Sequence, residues 1–202
     1  MKKIGIVGCG RIVSKHIDAI NNLKDAEISA FCDIDLKKAQ TLADIYGVSA
    51  FRKIEDMAKG RKFDLFAVLT ESGLHAKNVI ELANYGCDIL VEKPMALNTS
   101  DARDMMKACS KAGINLYEVK QNRYNKAIDV LREAFLQNRF GKIIMGTVRV
   151  RWCRTQEYYD DASWRGTWDL DGGVLSNQAI HHLDMLISFL GPVESIFAKS
   201  LT

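Results

Sequence analysis

No run of apolar residues in the chain approaches the roughly 18 needed to cross a bilayer, so no membrane-spanning segment is expected. The basic start Met1-Lys2-Lys3 is followed by an apolar stretch that Gly5 and Gly8 interrupt, a poor match to a signal peptide. The five cysteines (Cys9, Cys32, Cys87, Cys109 and Cys153) are odd in number, scattered and without a C-x-x-C pair. That pattern argues against a disulfide framework and against a zinc site, and it suits reduced thiols in the cytoplasm. Dense blocks of Lys or Arg are also lacking. The formal charge of +3 is a mild excess that suits anionic small molecules better than nucleic acid. The expectation is a cytoplasmic protein with small-molecule partners, no nucleic acid, no membrane and no metal.

What the chain does have is ordinary globular material. Its 202 residues are 48% hydrophobic and 26% charged, enough for one large or two small domains. Through the first 120 positions strand and helix signals alternate. Short apolar runs at 4–7, 26–32, 65–70, 88–91 and 115–119 read as parallel strands buried on both faces. Helical patterns lie between them at 12–22, 36–46, 75–85 and 100–112, with Ser100 as N-cap and Gly47, Gly86 and Gly113 behind helix ends. This alternation predicts an α/β fold with a doubly wound parallel sheet and right-handed crossovers.

The most specific element opens the chain. A strand runs into Gly8-Cys9-Gly10-Arg11-Ile12-Val13, a helix follows, and Asp33 closes the next strand 23 residues after Gly10. Such a turn lets a pyrophosphate approach the helix N-terminus, and the acid accepts hydrogen bonds from the adenosine ribose. Val13 stands where a third small residue is usual. Because an acid repels a 2′-phosphate, Asp33 favours NAD over NADP.

Two further segments, Thr70-Glu71-Ser72-Gly73-Leu74-His75 and Glu92-Lys93-Pro94, follow strands at their carboxyl ends, where open α/β sheets bind ligands. Pro94 stiffens the turn that aims Lys93.

After Gln121 the rhythm changes. A helix is predicted over 127–138 and a long strand over 142–154, with Arg149 and Arg151 on an exposed or subunit-facing side. A loop rich in Tyr, Trp, Asp and Gly leads to Gly172-Gly173, then a helix to about Leu190 and a strand over 193–200. On an ideal helix Asn177, His181 and Asp184 share one face, and His182 turns about 100° away, which disfavours a metal pair. Two strands and a helix do not close a core, so this part is expected to be an incomplete α+β domain with an open sheet. Either further sequence or a second subunit in a homo-oligomer would cover that face.

Together, Gly8-Cys9-Gly10-Arg11-Ile12, Asp33, Glu92-Lys93-Pro94, Trp164-Arg165 and Gly-Gly…Asn177-x-x-x-His181-x-x-Asp184 make the chain resemble the Gfo/Idh/MocA oxidoreductases. The resemblance implies an NAD-binding Rossmann domain over 1–121 and the front part of a substrate and oligomerisation domain over 122–202. It implies hydride transfer from a sugar-like hydroxyl, with Lys93 and His181 catalytic. The cofactor set it implies is Gly8, Gly10, Arg11, Ile12, Asp33, Thr70, Ser72, His75, Glu92, Lys93, Trp164 and Arg165.

Many members carry Asp where Asn177 stands here, which removes a carboxylate from the site. Asparagine there, with the run from Val119 to Asn125, is similar to the UDP-sugar 3-dehydrogenases of the family, including those acting on UDP-N-acetylglucosaminuronate. Lys120, Arg123, Tyr124, Asn177 and His181 are then the substrate-side candidates, with Lys120 and Arg123 suited to a uronate or phosphate or else to a solvated loop edge. His181 suits the general base and Lys93 the cation at a developing alkoxide, though the two can exchange roles. Other readings are an inositol or free-sugar dehydrogenase, an NAD-using glycoside hydrolase of the same family, and a non-catalytic NAD-sensing module.

Overall fold

A computed structural model describes residues 1–200 of the chain. Its organising element is a six-stranded, wholly parallel sheet. The strands are β1 (Lys2–Val7), β2 (Ala26–Cys32), β3 (Ser49–Phe51), β4 (Leu65–Val68), β5 (Asp88–Val91) and β6 (Leu116–Glu118), in the order β3-β2-β1-β4-β5-β6. Because β1 lies between β2 and β4, the chain reverses its direction of travel across the sheet at that pair. A crevice opens there at the carboxyl ends of the strands, and this is where such sheets take ligands.

Helices α1 (Val13–Asn21) and α2 (Leu36–Tyr46) cover one face; α3 (Ile54–Ala58), α4 (His75–Ala83) and α5 (Thr99–Ala112) cover the other. Alternation along the strands feeds both layers. Ile4 and Ile6 of β1 pack with Ile17, Ile20 and Ala43, whereas Val7 joins Phe66, Val68, Leu82 and Met105 on the opposite side. Phe31, Phe66 and Ile89 have no exposed surface. Burying side chains of this size contributes about 1.5–3 kcal/mol each.

The expected strands and helices of this half are present, within a few residues at their ends. Two elements are additional: β3 and α3 are only three and five residues long. Helix α5 is capped differently from the expectation, because the Asn98 side chain, not that of Ser100, accepts from Asp101 N–H.

Beyond β6 the molecule is thinner. It comprises α6 (Lys126–Leu136), α7 (Gln156–Asp160), a π-helical turn over Leu175–Ala179, and α8 (Ile180–Leu190). Neither the strand expected over 142–154 nor that over 193–200 is formed among the described residues, so the expected open sheet is absent from this structure. The alternation in 142–154 is real, but a strand exists only through ladder hydrogen bonds to another strand, and none pairs with it here. The segment lies instead along α8, running against its direction. Gly146 meets Leu190, the Trp152 ring stands edge-on to His182 at 5.7 Å, and Arg154 donates to Gln178.

Candidate dinucleotide and substrate cleft

A cleft of about 1710 Å³ runs across the carboxyl end of the sheet from the Gly8–Ile12 turn to Asn177. Its floor is built by the first βα turn. Gly8 has φ +98°, and a Cβ there would meet the Leu69 and Thr70 backbone at 2.7 Å, so neither conformation nor space admits a side chain. Gly10 is the opposite case: a Cβ would meet nothing within 4 Å, because this glycine faces the open cleft. Ile12, the N-cap of helix α1, offers no side-chain cap; Val13 and Lys15 N–H donate to Gly10 O and Ile12 O, and the helix N-terminus faces the cleft. At the end of β2, Asp33 lines the same space; its carboxylate is held by Cys9 N–H at 2.7 Å and Asp35 N–H at 2.8 Å. An open glycine turn, an uncapped helix and a fixed acid fit a dinucleotide.

The opposite wall comes from the second half of the chain. Tyr158, Asp161, Trp164, Arg165 and Asn177 line it, and Arg11 reaches across to Asp161 at 3.7 Å. The Arg165 guanidinium stacks 4.2 Å over Tyr158 and donates to Tyr158 O and Asp161 Oδ2. Its Nε is buried without a partner. The two halves meet closely at Gly73, whose N–H donates to Leu170 O.

Around Lys93 the buried groups are polar. Lys93 Nζ donates to both the backbone oxygen and the side-chain Oδ1 of Asn177, each at 2.9 Å. Asn177 Nδ2 in turn donates to Asp171. Burial pushes the Lys93 pKa down, the charges of Glu92 and Asp171 oppose this, Lys120 adds to it, and the net direction is down. Glu92 accepts from His16 Nε2 at 2.7 Å and from Lys93 N–H at 3.0 Å. Burial pushes the Glu92 carboxyl up, but those two bonds and the charges of His16 and Lys93 outweigh it and hold the group below the usual carboxylate range.

His181 lies beside Gln121, with Nε2 3.5 Å from the Gln121 amide nitrogen, and Gln121 itself lines the cleft. Burial lowers the His181 pKa, and the nearby charges of Lys93 and Lys120 lower it further, so the ring is neutral near pH 7.

Several expected site residues are placed differently. His75 lines no part of the cleft: it is 1% exposed, with Nδ1 facing Pro94 O at 2.8 Å and Nε2 facing Thr70 O at 3.0 Å. It ties together the loops after β4 and β5, a neutral ring donating its one N–H to one of the two carbonyls. Asn177 lies in the π-helical turn and meets Lys93, whereas His181 on α8 meets Gln121. Asp184 binds Arg123 through two bonds, at 2.6 and 2.8 Å. Lys120 pairs with Glu118 at 2.8 Å, and Tyr124 is 80% exposed. The cleft wall in that segment is made by Val119 and Gln121. Arg11, Ile12, Thr70, Ser72, Glu92, Lys93, Trp164 and Arg165 do line the cleft.

Sequence reasoning missed His16, Gln121, Tyr158 and Asp171. Gln121 lay inside the run from Val119 to Asn125, and Asp171 directly before Gly172-Gly173; His16 and Tyr158 stood beside no singled-out residue.

Comparison with known proteins follows the same division. A family model described as an oxidoreductase family with an NAD-binding Rossmann fold matches residues 2–119, and one for a GFO/IDH/MocA C-terminal domain matches residues 128–202. The chain is similar to the WlbA dehydrogenase of Bordetella pertussis, solved with NADH and UDP-GlcNAcA. The identity is 44%, the TM-score is 0.92, and the likeness spans 96% of this chain and 60% of that one. The WlbA dehydrogenase of Chromobacterium violaceum, also solved with NADH and UDP-GlcNAcA, is 41% identical, with TM-score 0.91, over 96% of this chain and 56% of that one. Among curated relatives, D-apiose dehydrogenase of Paraburkholderia graminis is 29% identical over 98% of this chain and 52% of its own length. D-glucoside 3-dehydrogenase of Escherichia coli is 29% identical over 98% of this chain and 57% of its own length. The chain thus spans about half the length of the curated relatives it matches.

Proposed function

The chain belongs to the Gfo/Idh/MocA oxidoreductase family, with its NAD-binding Rossmann fold, and from that premise we propose that it takes part in oxidising a secondary hydroxyl of a UDP-sugar. A UDP-N-acetylhexosaminuronate is the substrate class, oxidised at C3. The observation that carries the reading is the Lys93 ammonium, fixed by Asn177 in the wall of the same cleft that the open Gly10 turn and Asp33 line.

NAD, when bound, is the acceptor of the hydride. The Gly8–Ile12 turn, Asp33, Thr70, Trp164 and Arg165 are the groups suited to hold it. His181, neutral at pH 7, takes the hydroxyl proton. Lys93 stabilises the negative charge that grows on the sugar oxygen as that proton leaves. Arg123, tied to Asp184, supports the wall rather than binding an anion. Reduced cysteines suit the cytoplasm. The exposed Ile144, Met145, Ile196 and Phe197 suit a self-associating surface.

The test is NADH formation from NAD and UDP-N-acetylglucosaminuronate by the longest soluble form of the protein, followed at 340 nm beside UDP-N-acetylglucosamine, free sugars and inositols. His181→Asn is expected to lower kcat by about 100-fold while NAD binding is kept. Turnover of free sugars or inositols alone would overturn the nucleotide-sugar assignment, and an unaffected kcat would remove His181 from its role.

A further inference from the structure

Asp171 is only 5% exposed, yet both its oxygens are taken by neutral donors: Gly166 N–H at 2.8 Å and the Asn177 side-chain amide. The other end of that amide meets Lys93 Nζ at 2.9 Å. An ammonium offers only donors and an ionised carboxylate only acceptors, so a group bridging them must accept at one end and donate at the other. A carboxamide does this without adding charge. Aspartate at position 177 would set two buried carboxylates against each other, and leucine would leave both ends unsatisfied.

We propose that Asp171 is a positioning residue for Lys93, acting through Asn177: it fixes the amide with its oxygen toward the ammonium and supplies a buried countercharge one side chain away. This rests on the reading of Lys93 as the cation of the reaction. Without Asp171 the amide is free to turn its nitrogen toward Lys93, exchanging an attraction for a repulsion.

The charged and titratable groups that face Lys93 come from several elements. Glu92, from the end of β5, and Asp171 favour the ammonium, while Lys120 disfavours it. His181 on α8 and His75 on α4 also feel the Lys93 charge. Of the two acids, Glu92 already has His16 as a partner at 2.7 Å. Asp171 has no comparable claim on it, since its two bonds come from uncharged groups.

Exchanging the two side chains tests the idea. The Lys93 ammonium is titrated by NMR in lysine-labelled, NADH-loaded protein, its signal assigned by loss in Lys93→Arg. In Asp171→Asn the titration is expected to move to lower pH, and kcat with UDP-N-acetylglucosaminuronate to fall about 10- to 100-fold with KM for NAD unchanged. The double variant Asp171→Asn with Asn177→Asp moves the carboxylate directly against Lys93. It is expected to return the titration to the wild-type pH or above, which shows that the Lys93 signal responds to a carboxylate in the folded site. Wild-type titration in the single variant, or no recovery in the double, overturns the proposal. If circular dichroism shows Asp171→Asn unfolded, Asp171→Ser takes its place: a titration below the wild-type pH supports the idea, and one at the wild-type pH overturns it. Absence of turnover in the wild type would refute the substrate reading and leave the titration comparison intact.

Discussion

What the two halves bury is different in kind. Before Gly113 the solvent-free interior is almost entirely apolar, with Ile6, Phe31, Phe66, Val68, Val79 and Leu82 at 0% or close to it. After it, among the described residues, Ala179 is the one buried hydrophobic side chain, and the others buried are Asp171, Asn177 and Asp184. One half is held by water exclusion; the other by polar bonds, among them Asn177 to Lys93, Leu170 to Gly73 and Asp184 to Arg123. Apolar and polar burial are thus divided along the chain. The second half is ordered where it supplies the cleft wall, and its apolar side chains, such as Phe197 at 94%, stay exposed.

Substitutions can break this contrast. The largest effect is expected for Phe66→Ala, which opens a cavity between β4 and α4–α5 and should lower unfolding stability by about 3–5 kcal/mol in urea titrations. Arg123→Ala should cost less, about 1–3 kcal/mol, because it strands the Asp184 carboxylate with only partial access to water. A loss as large as that of Phe66→Ala would show that the second half has a core of its own.

Next comes a pH effect. Burial, opposed by the bonds to Pro94 O and Thr70 O, holds the His75 pKa below its ordinary value near 6.5. The folded state therefore binds fewer protons than the unfolded chain, so stability falls as pH drops below about 6.5. Urea midpoints between about pH 7 and pH 5 should decline, and His75→Gln should flatten the decline. Smallest of all, Ile144→Ala, at a side chain 92% exposed, should change stability by no more than about 0.5 kcal/mol.

The same contrast explains what could be read beforehand. The β1–turn–α1–β2–Asp33 unit was legible because its signals are local: strand periodicity, a glycine whose Cβ has no room, and an acid at a strand end. The pair β3 and α3 was not, since three and five residues carry no periodicity. The stretch 142–154 was misread because alternation records which side chains face a surface, while a strand also requires a partner. Asn177, Lys93 and His181 were named from position. The π-helical turn over Leu175–Ala179 left no mark in the sequence, nor did the inward turn of His75. His16 is a lone histidine in the second turn of α1, and nothing nearby in the chain announces that it meets Glu92, 76 positions later.

A Cβ placed on Gly73 would stand 1.9 Å from the Asp169 carbonyl oxygen, closer than any atom could be accommodated. The bare backbone at that point lets the loop after β4 lie flush against the Asp169–Leu170 backbone. A chimera that joined this nucleotide-binding half to another sugar-recognising half would have to keep hydrogen at position 73. Even a methyl group there would push the Asp169–Leu170 backbone away from the loop after β4.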